Sequence, residues 1–398
     1  MENITSIRGI RCWGISAGLK ASAKLDLTVM ASDIPATAAA VFTKNKVLAE
    51  PLKLNKLHIK NGKAQAIVAN SGNANACTGK HGYQGAIAMA ETTAALLKIK
   101  KEDVLVLSTG IIGREFPTEK VLQGIKKCVP LMTNTYEAGK LAAEAILTTD
   151  TVTKEFSTHF DIDGVNVGIA GIAKGSGMIH PDMGTMLACI FSDVAIDRRM
   201  LNKAFREAVD YSFNMISVDG DTSTNDMAMV LCNGMAKNKI IRHKGKNYNL
   251  FSKKLREVCS ALARMIVKDG EGVNKFIEYK VINAPSEEAA KKILRTISTS
   301  LLVKTAFFGK DPNWGRIIAA AGRAGTDFDI EKADLYIGGH ALLLKGQPQI
   351  QNIEKAHEQL QFKEIFVTLN MNNGEAEATG WGSDLSTDYV IFNSAYTT

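Results

Sequence analysis

A chain of 398 residues and 43.0 kDa can bury a large core, so it is no small stapled module, and its length allows one large domain or two to three ordinary ones. Hydrophobic content of 45%, charged content of 22% and a mean hydropathy of -0.03 are those of a soluble globular protein and exclude long disordered spans. The charge of +7 and pI of about 8.9 raise a nucleic-acid reading, but the basic clusters at Lys98 to Lys101, Arg242 to Lys246 and Lys253 to Arg256 carry no aromatic ladder; they read as solvated surface with at most a mild pull on anionic substrates such as a dicarboxylate.

Residues up to about Thr43 read as short strands and turns, with Ala36 to Phe42 leading to Lys44 and Lys46, which read as exposed loop lysines. Ala64 to Ala69 is a short strand that delivers Asn70, Ser71, Asn73 and Asn75 onto a loop, where the asparagines build side chain to backbone turns and serve as scaffold. Tyr83 to Leu97 is a helix by its Ala, Met and Leu content, and Val104 to Leu107 is a buried strand. That strand opens into Ser108-Thr109-Gly110. A strand end is a rigid mount, so the Thr109 hydroxyl and the Gly110 N–H are candidates for holding an oxyanion; the plainer alternative is a turn with a satisfied hydroxyl. Pro117 starts a helix to Lys127, and an Ala-rich helix follows from Glu137 to Leu147. It ends at Thr148-Thr149-Asp150-Thr151, which on residues alone reads as caps and turns. Val165 to Ala173 is then a strand leading to Lys174.

Lys174 opens the segment KGSGMIHPDMGTML, in which Thr185 stands between a loop rich in Gly and Pro and a run, Met186 to Val194, of strand composition. Gly184 lacks a Cβ, so the chain can bend there and bring the Thr185 hydroxyl back onto the preceding carbonyl. That geometry favours self-cleavage. Attack of Thr185 Oγ on the Gly184 carbonyl, an N to O acyl shift and hydrolysis would leave Thr185 as a new N-terminus, whose α-amino group, with pKa near ~7.7 to 8.0, serves as base for its own hydroxyl. On spacing alone the plain reading wins: a glycine-rich turn entering a strand. A phosphate-loop reading of KGSG fails because that motif places its Lys after the glycines.

Further on, Arg199 to Phe213 reads as a helix, Met227 to Cys232 as a strand and Leu250 to Val267 as a long amphipathic helix. The acidic stretch SVDGDTSTND, Ser217 to Asp226, fails the count of a calcium loop, because Thr224 stands where the glycine belongs and Val230 where the terminal Glu does; it reads as a polar loop near the active cleft. Glu271, on a Gly-flanked loop, is either a helix-terminating carboxylate or a residue aimed into a site. Phe276 to Ala284 is a strand, Ser286 to Phe307 largely helical, and Asn313 to Ala321 a helix behind Pro312. Leu335 to Leu344, Glu364 to Asn370 and Glu375 to Ala378 alternate like sheet strands, with Ile353 to Leu360 a helix between them. Tyr389 to Phe392 reads as a strand running into the tail Asn393 to Thr398. The cysteines show no metal-site spacing and most sit in apolar contexts, which suggests buried thiols and a reducing compartment. No signal-peptide core, membrane-length apolar run, repeat or low-complexity linker stands out, so the cytoplasm is the expected location.

The segment KGSGMIHPDMGTML resembles the autocatalytic site of the ornithine acetyltransferase family, the arginine-biosynthesis enzymes that move an acetyl group from N-acetylornithine to glutamate. NSGNANACTG at Asn70 to Gly79, STGIIG at Ser108 to Gly113, TTDT at Thr148 to Thr151, DGEG at Asp269 to Gly272, KTAFFGKDPNWGR at Lys304 to Arg316 and NSAYTT at Asn393 to Thr398 match the family in the same order, which makes the resemblance whole-length. Two positions depart from the pattern: Gly184 where Ala is usual before the nucleophile, and Asp182 where Asn is common.

The resemblance implies a layered αββα core of mixed and antiparallel sheets with a smaller second domain. It implies self-cleavage into an α chain, residues 1–184, and a β chain, residues 185–398, interleaved in one core and assembled as a dimer of αβ pairs, a heterotetramer. Thr185 is then the nucleophile, Thr109 and Gly110 the oxyanion hole, and Gly184/Thr185 the cleaved bond. Thr151, Lys174, Glu271, Asn393 and Thr398 join Thr185 as substrate-binding residues, with Lys174 meeting a substrate carboxylate and Glu271 contacting its amino group. The implied reaction is ping-pong acetyl transfer without metal or cofactor, and acetyl-CoA enters only as a substrate of the bifunctional kind. Partners are expected to be small-molecule substrates and the two fragments themselves, with no nucleic acid and no membrane. Two rivals stand beside this reading: an amidase or aminopeptidase using the same N-terminal nucleophile, and a silent binding or scaffold protein that never cleaves.

Overall fold

A computed structural model describes residues 2–180 and 186–395. Its first half contains β1 (Ile10–Ile15), β2 (Leu27–Phe42), α1 (Glu50–His58), β3 (Lys63–Asn73), α2 (Gly79–Leu97), β4 (Val104–Ile111), α3 (Thr118–Cys128), α4 (Tyr136–Ala145), β5 (Lys154–Ile162) and β6 (Val165–Lys174). After the undescribed residues come β7 (Leu187–Ser192), α5 (Arg198–Asp210), the two-residue β8 (Ile216–Ser217), β9 (Met227–Cys232) and α6 (Lys246–Lys268).

The strand β2 makes the corner of the molecule. Its sequence LTVMASDIPATAAAVF is rich in β-branched and small residues at both ends, and Asp33, Ile34 and Pro35 interrupt it with three exposed positions. Pro35 has no N–H to give a ladder, and it falls where the register with β3 shifts between Ala31 and Ala36. Before the shift β2 pairs with β1 and β3; after it, β3 stays beside Ala36 and Thr37, and β2 pairs with β9 from Thr37 to Phe42. The result among the described residues is one sheet in the order β4-β3-β2-β9-β7-β6-β5, with β1 beside β2, bent at this corner.

Strand alternation then sorts three apolar layers. Met30, Ile67 and Leu107 from one half of the sheet meet Ile172, Cys189 and Met229 from the other, with Ala138 and Ala142 of α4 among them. On one outer face Val29, Val68 and Val106 pack against α2 and α3 through Met89 and Val121. On the opposite face Ile169, Ile190 and Val230 pack against α5 and α6. The helix α6 buries Phe251, Leu255, Val258, Leu262 and Ile266, a stripe at the helical repeat. Truncating fully buried Leu262 to Ala would cost about 2–5 kcal/mol. A layered stack of helix, sheet, sheet and helix thus arises from one folded sheet.

The C-terminal part adds β10 (Phe276–Ala284), α7 (Glu287–Ser298), α8 (Leu301–Phe308), α9 (Trp314–Gly322), β11 (Asp334–Ile337), β12 (His340–Leu344), β13 (Gln347–Pro348), α10 (Ile353–Gln359), β14 (Glu364–Asn370), β15 (Ala376–Ser383) and α11 (Thr387–Ala395). Its strands form a second sheet, β13-β12-β11-β14-β10-β15-β8, with its own core of Ile277, Tyr279, Ile293, Leu335 and Val367. The helix α7 starts at Ser286, whose hydroxyl accepts the Ala289 N–H at 3.1 Å, and Glu287 and Glu288 in its first turn suit the positive end of the helix dipole. The fold is mixed α/β with two sheets.

Two expectations change. Asn70, Ser71 and Asn73 lie on β3, not on a loop after it, because β4 runs parallel beside them through Asn73–Ile111 and satisfies their backbone groups. Residues 389–392 are helical, not extended. Val390 and Ile391 stay exposed, and the Ser386 hydroxyl accepts the Tyr389 N–H at 3.2 Å as a helix-starting cap.

Candidate active site

One end of the folded sheet gathers the last residues of β4 and β6 with the first residues of β7 and β9. Lys174 pairs across to Leu187, and Leu187 to Met227, so the row is held by ladder hydrogen bonds. The cleft at this end is lined by Thr109 and Gly110 of β4, Lys174 of β6 and, from the loop after it, Gly177 and Met178. Thr148, Thr149, Glu271 and, from α11, Tyr389 and Asn393 close its other sides. Met186 also lines it. Gly184 and Thr185, the expected cleavage pair and nucleophile, lie outside the described residues, as does Thr398.

The Lys174 ammonium is buried at the centre. It donates to Thr148 Oγ1 at 2.7 Å and to Thr109 Oγ1 at 3.2 Å and stands 3.9 Å from Asp150 Oδ2. Burial pushes this ammonium below its ordinary pKa, and the Asp150 carboxylate works against that fall. Because Thr109 Oγ1 accepts from Lys174, its own proton is left to be donated elsewhere. Gly110, beside it, has φ of +130°, and a Cβ there would lie 2.5 Å from the carbonyl carbon of Gly72 on β3, so only glycine lets the two strands approach.

Glu271 follows the end of α6. Its backbone N–H donates to the Ser176 carbonyl at 3.0 Å, its Oε1 accepts from Thr149 Oγ1 at 2.6 Å, and its Oε2 accepts from Asn393 Nδ2 at 3.1 Å. Gly177 leaves room for that carboxylate, since a Cβ at 177 would come within 2.3 Å of Oε2. Lys174, Glu271 and Asn393 therefore meet at one cleft with Thr109 and Gly110. Thr151 does not line it: its N–H donates to Asp269 Oδ2 at 3.0 Å, and its hydroxyl also turns to Asp269.

The acidic stretch 217–226 does border the cleft, through Asp219, Asp221, Ser223, Asn225 and Asp226. Asp219 accepts the backbone N–H groups of Met178 at 2.6 Å and Ile179 at 2.8 Å, which ties the loop after β6 to this wall. Burial lifts its carboxyl above the usual carboxylate range, against those bonds. Asn70, Asn73 and Asn75 act as scaffold: Asn70 bridges Ser108 Oγ and the Asn73 carbonyl, and Asn75 Nδ2 donates to Gly82.

Sequence reasoning missed a buried charge cluster behind the cleft. Lys154 Nζ donates to Asp150 Oδ1 at 2.6 Å and Asp269 Oδ2 at 2.5 Å, with Lys154 fully buried. Burial would raise the Asp150 carboxyl, but Lys174 and Lys154 hold it well below the usual range. Asp150 and Lys154 are close in sequence, but nothing local brings Asp269 to them, because Lys154 and Asp269 are far apart along the chain. Among the described residues, no group of three His, Cys, Asp or Glu side chains is arranged to hold a metal ion, and no helix is long and apolar enough to cross a membrane.

Comparison with known proteins places the chain. The model of the ArgJ family matches residues 11–398. An arginine biosynthesis bifunctional protein ArgJ of Caldanaerobacter subterraneus subsp. tengcongensis is 48% identical over 395 residues, covering 98% of this chain and 97% of that protein. The arginine biosynthesis bifunctional protein ArgJ 1 of Clostridium acetobutylicum is 46% identical, covering 99% and 97%. The solved structure of an ornithine acetyltransferase complexed with ornithine, from Mycobacterium tuberculosis, is 38% identical over 46% of this chain and 96% of that one, with a TM-score of 0.43. The family match and the near full-length identities agree with the order of motifs along the sequence: the chain belongs to the ArgJ family.

Proposed function

We propose that this chain is an arginine-biosynthesis acetyltransferase that carries an acetyl group from N-acetylornithine to glutamate on the Thr185 hydroxyl. In the bifunctional form suggested by the names of its relatives, it also accepts acetyl-CoA as donor. Cleavage at Gly184/Thr185 gives an α piece, 1–184, and a β piece, 185–398, which stay together because β6 and β7, the strands flanking that segment, pair with each other. We place the αβ pairs as dimers in the cytoplasm.

In the first half-reaction the Thr185 α-amino group takes the hydroxyl proton as Oγ bonds to the acetyl carbon. The carbonyl oxygen becomes an oxyanion facing the Thr109 hydroxyl and the Gly110 N–H. The C–N bond then breaks, and ornithine leaves with the proton on its amino nitrogen. In the second half, the glutamate amine attacks the threonine ester, and Thr185 Oγ departs and recovers its proton. Lys174 receives a substrate carboxylate, and Glu271, with Asn393, receives a substrate amino group. Thr398 completes the proposed binding set. The route uses no metal and no redox cofactor.

The observation that carries this reading is the Lys174 to Thr109 hydrogen bond inside the cleft. It leaves a cation-polarised hydroxyl with its proton to donate, in the same cleft that Met186, the residue after the proposed nucleophile, lines. The test is acetylation of glutamate followed with N-acetylornithine and with acetyl-CoA as separate donors. Acetylglutamate from the first supports transfer, and its formation from the second makes the enzyme bifunctional. Release of free acetate in place of acetylglutamate would instead make it an amidase.

A further inference from the structure

Asp150 lies between two lysines. Its Oδ1 accepts from Lys154 Nζ at 2.6 Å and from the Gly175 N–H at 2.7 Å, and its Oδ2 accepts the Thr148 N–H at 3.0 Å. Lys174, which lines the cleft, stays 3.9 Å away from Oδ2 and donates to two hydroxyls instead. Asp150 and Lys154 are both closed to solvent along their side chains, and Asp269 is nearly so. Two carboxylates and two ammonium groups are thus balanced in one dry cluster, and of these four residues only Lys174 lines the cleft.

We propose that Lys154 is a positioning residue for acetyl transfer: by occupying the Asp150 carboxylate it keeps the Lys174 ammonium off that carboxylate and on the Thr109 and Thr148 hydroxyls. The proposal rests on the role given above to Thr109 and Lys174. Its physical basis is that a buried carboxylate deprived of one cation draws in the other, since attraction between charges is strong where water is excluded. Without Lys154, Lys174 needs to move only about 1 Å to reach hydrogen-bond distance of Asp150. That movement breaks its 3.2 Å bond to Thr109 and takes the charge away from the substrate. A displacement of that size at a reacting centre costs about 10²-fold in rate.

The test uses the purified full chain carrying Lys154→Met, the double change Lys154→Met/Asp150→Asn, and Asp269→Asn. In a crystal structure of Lys154→Met, Lys174 Nζ should lie within ~3.2 Å of Asp150 and no longer bond Thr109; an unmoved Lys174 overturns the proposal. In the acetyl transfer assay, Lys154→Met should lose about 10²-fold in kcat. The double variant, with no carboxylate at 150 to capture Lys174, should recover most of that loss. A lysine that only supports the fold would leave the double variant as damaged as the single one. Should Lys154→Met not fold, Asp269→Asn decides: it leaves Lys154 on Asp150 and should keep kcat within about threefold, and a large loss there refutes the assignment. Absence of transfer by the unaltered enzyme would sink the functional reading itself. Full turnover by Lys154→Met would sink only the role of Lys154.

Discussion

Replacing Thr109 by Val tests the proposed oxyanion hole with little disturbance of the fold. Valine has nearly the same shape and suits a strand, and Thr109 is held within β4 beside β3. The hydroxyl it removes accepts from Lys174 at 3.2 Å, but Lys174 keeps its 2.7 Å bond to Thr148 and its charge partner Asp150, so no buried ammonium is orphaned. The stability cost should therefore be near that of one hydrogen bond, about 1 kcal/mol. Catalysis should suffer more. A preorganised donor aimed at a developing oxyanion contributes about 2.7–4 kcal/mol, which is ~10²–10³ in kcat. Because that bond forms fully only in the transition state, KM for N-acetylornithine should change little. The assay is steady-state transfer to glutamate alongside a thermal melt. A kcat within threefold of the unaltered enzyme, in a variant that melts normally, would remove Thr109 from the site.

Gly177→Ala should push the Glu271 carboxylate away from Thr149 and Asn393, because the new Cβ would lie 2.3 Å from Oε2; a rise in substrate KM of ~10-fold, with a small change in Tm, is expected from loss of hydrogen bonds to a charged group. Gly110→Ala meets backbone instead of a movable side chain, and φ of +130° adds strain of about 1–3 kcal/mol, so both Tm and activity should fall; a variant as stable as the parent contradicts the close approach of β3 and β4. Asp150 makes stability depend on acid. Its carboxyl sits below the usual range in the folded state, so its contribution is present above the unfolded pKa near ~3.9 and is lost as pH falls below it, by up to ~1.4 kcal/mol per unit. Denaturant melts between pH 6 and pH 3 should show a shallower acid decline in Asp150→Asn than in the parent.

Much of the framework was legible because local composition and tertiary environment agree. Met227–Cys232, Phe276–Ala284 and Glu364–Asn370 are strands with the bounds expected from their apolar runs. The long β2 was not legible as one element, because Pro35 looks like a strand breaker unless the sheet turns a corner there, which depends on β9 arriving from residues 227–232. The tail misled in the opposite sense. Tyr389, Val390, Ile391 and Phe392 have strand composition, but a strand needs a neighbour, and the cap at Ser386 supplies a helix with what it needs locally. At the site, Thr109, Gly110, Lys174, Glu271 and Asn393 were named by motif, and the cleft brings them together. Asp219 was seen only as part of a polar stretch. The pairing of Lys154 with Asp269 was invisible because it needs β5 and the end of α6 side by side, which no spacing along the chain encodes.

The proposed reaction depends on an alcohol that becomes a nucleophile only when its own chain breaks before it. Intact mass and N-terminal sequencing of the purified, active protein test that directly. The prediction is two fragments, the second beginning Thr185-Met186-Leu187, with an added acetyl group on that fragment when N-acetylornithine is supplied without glutamate. Acetyl transfer by a single uncut chain of 43.0 kDa would contradict it.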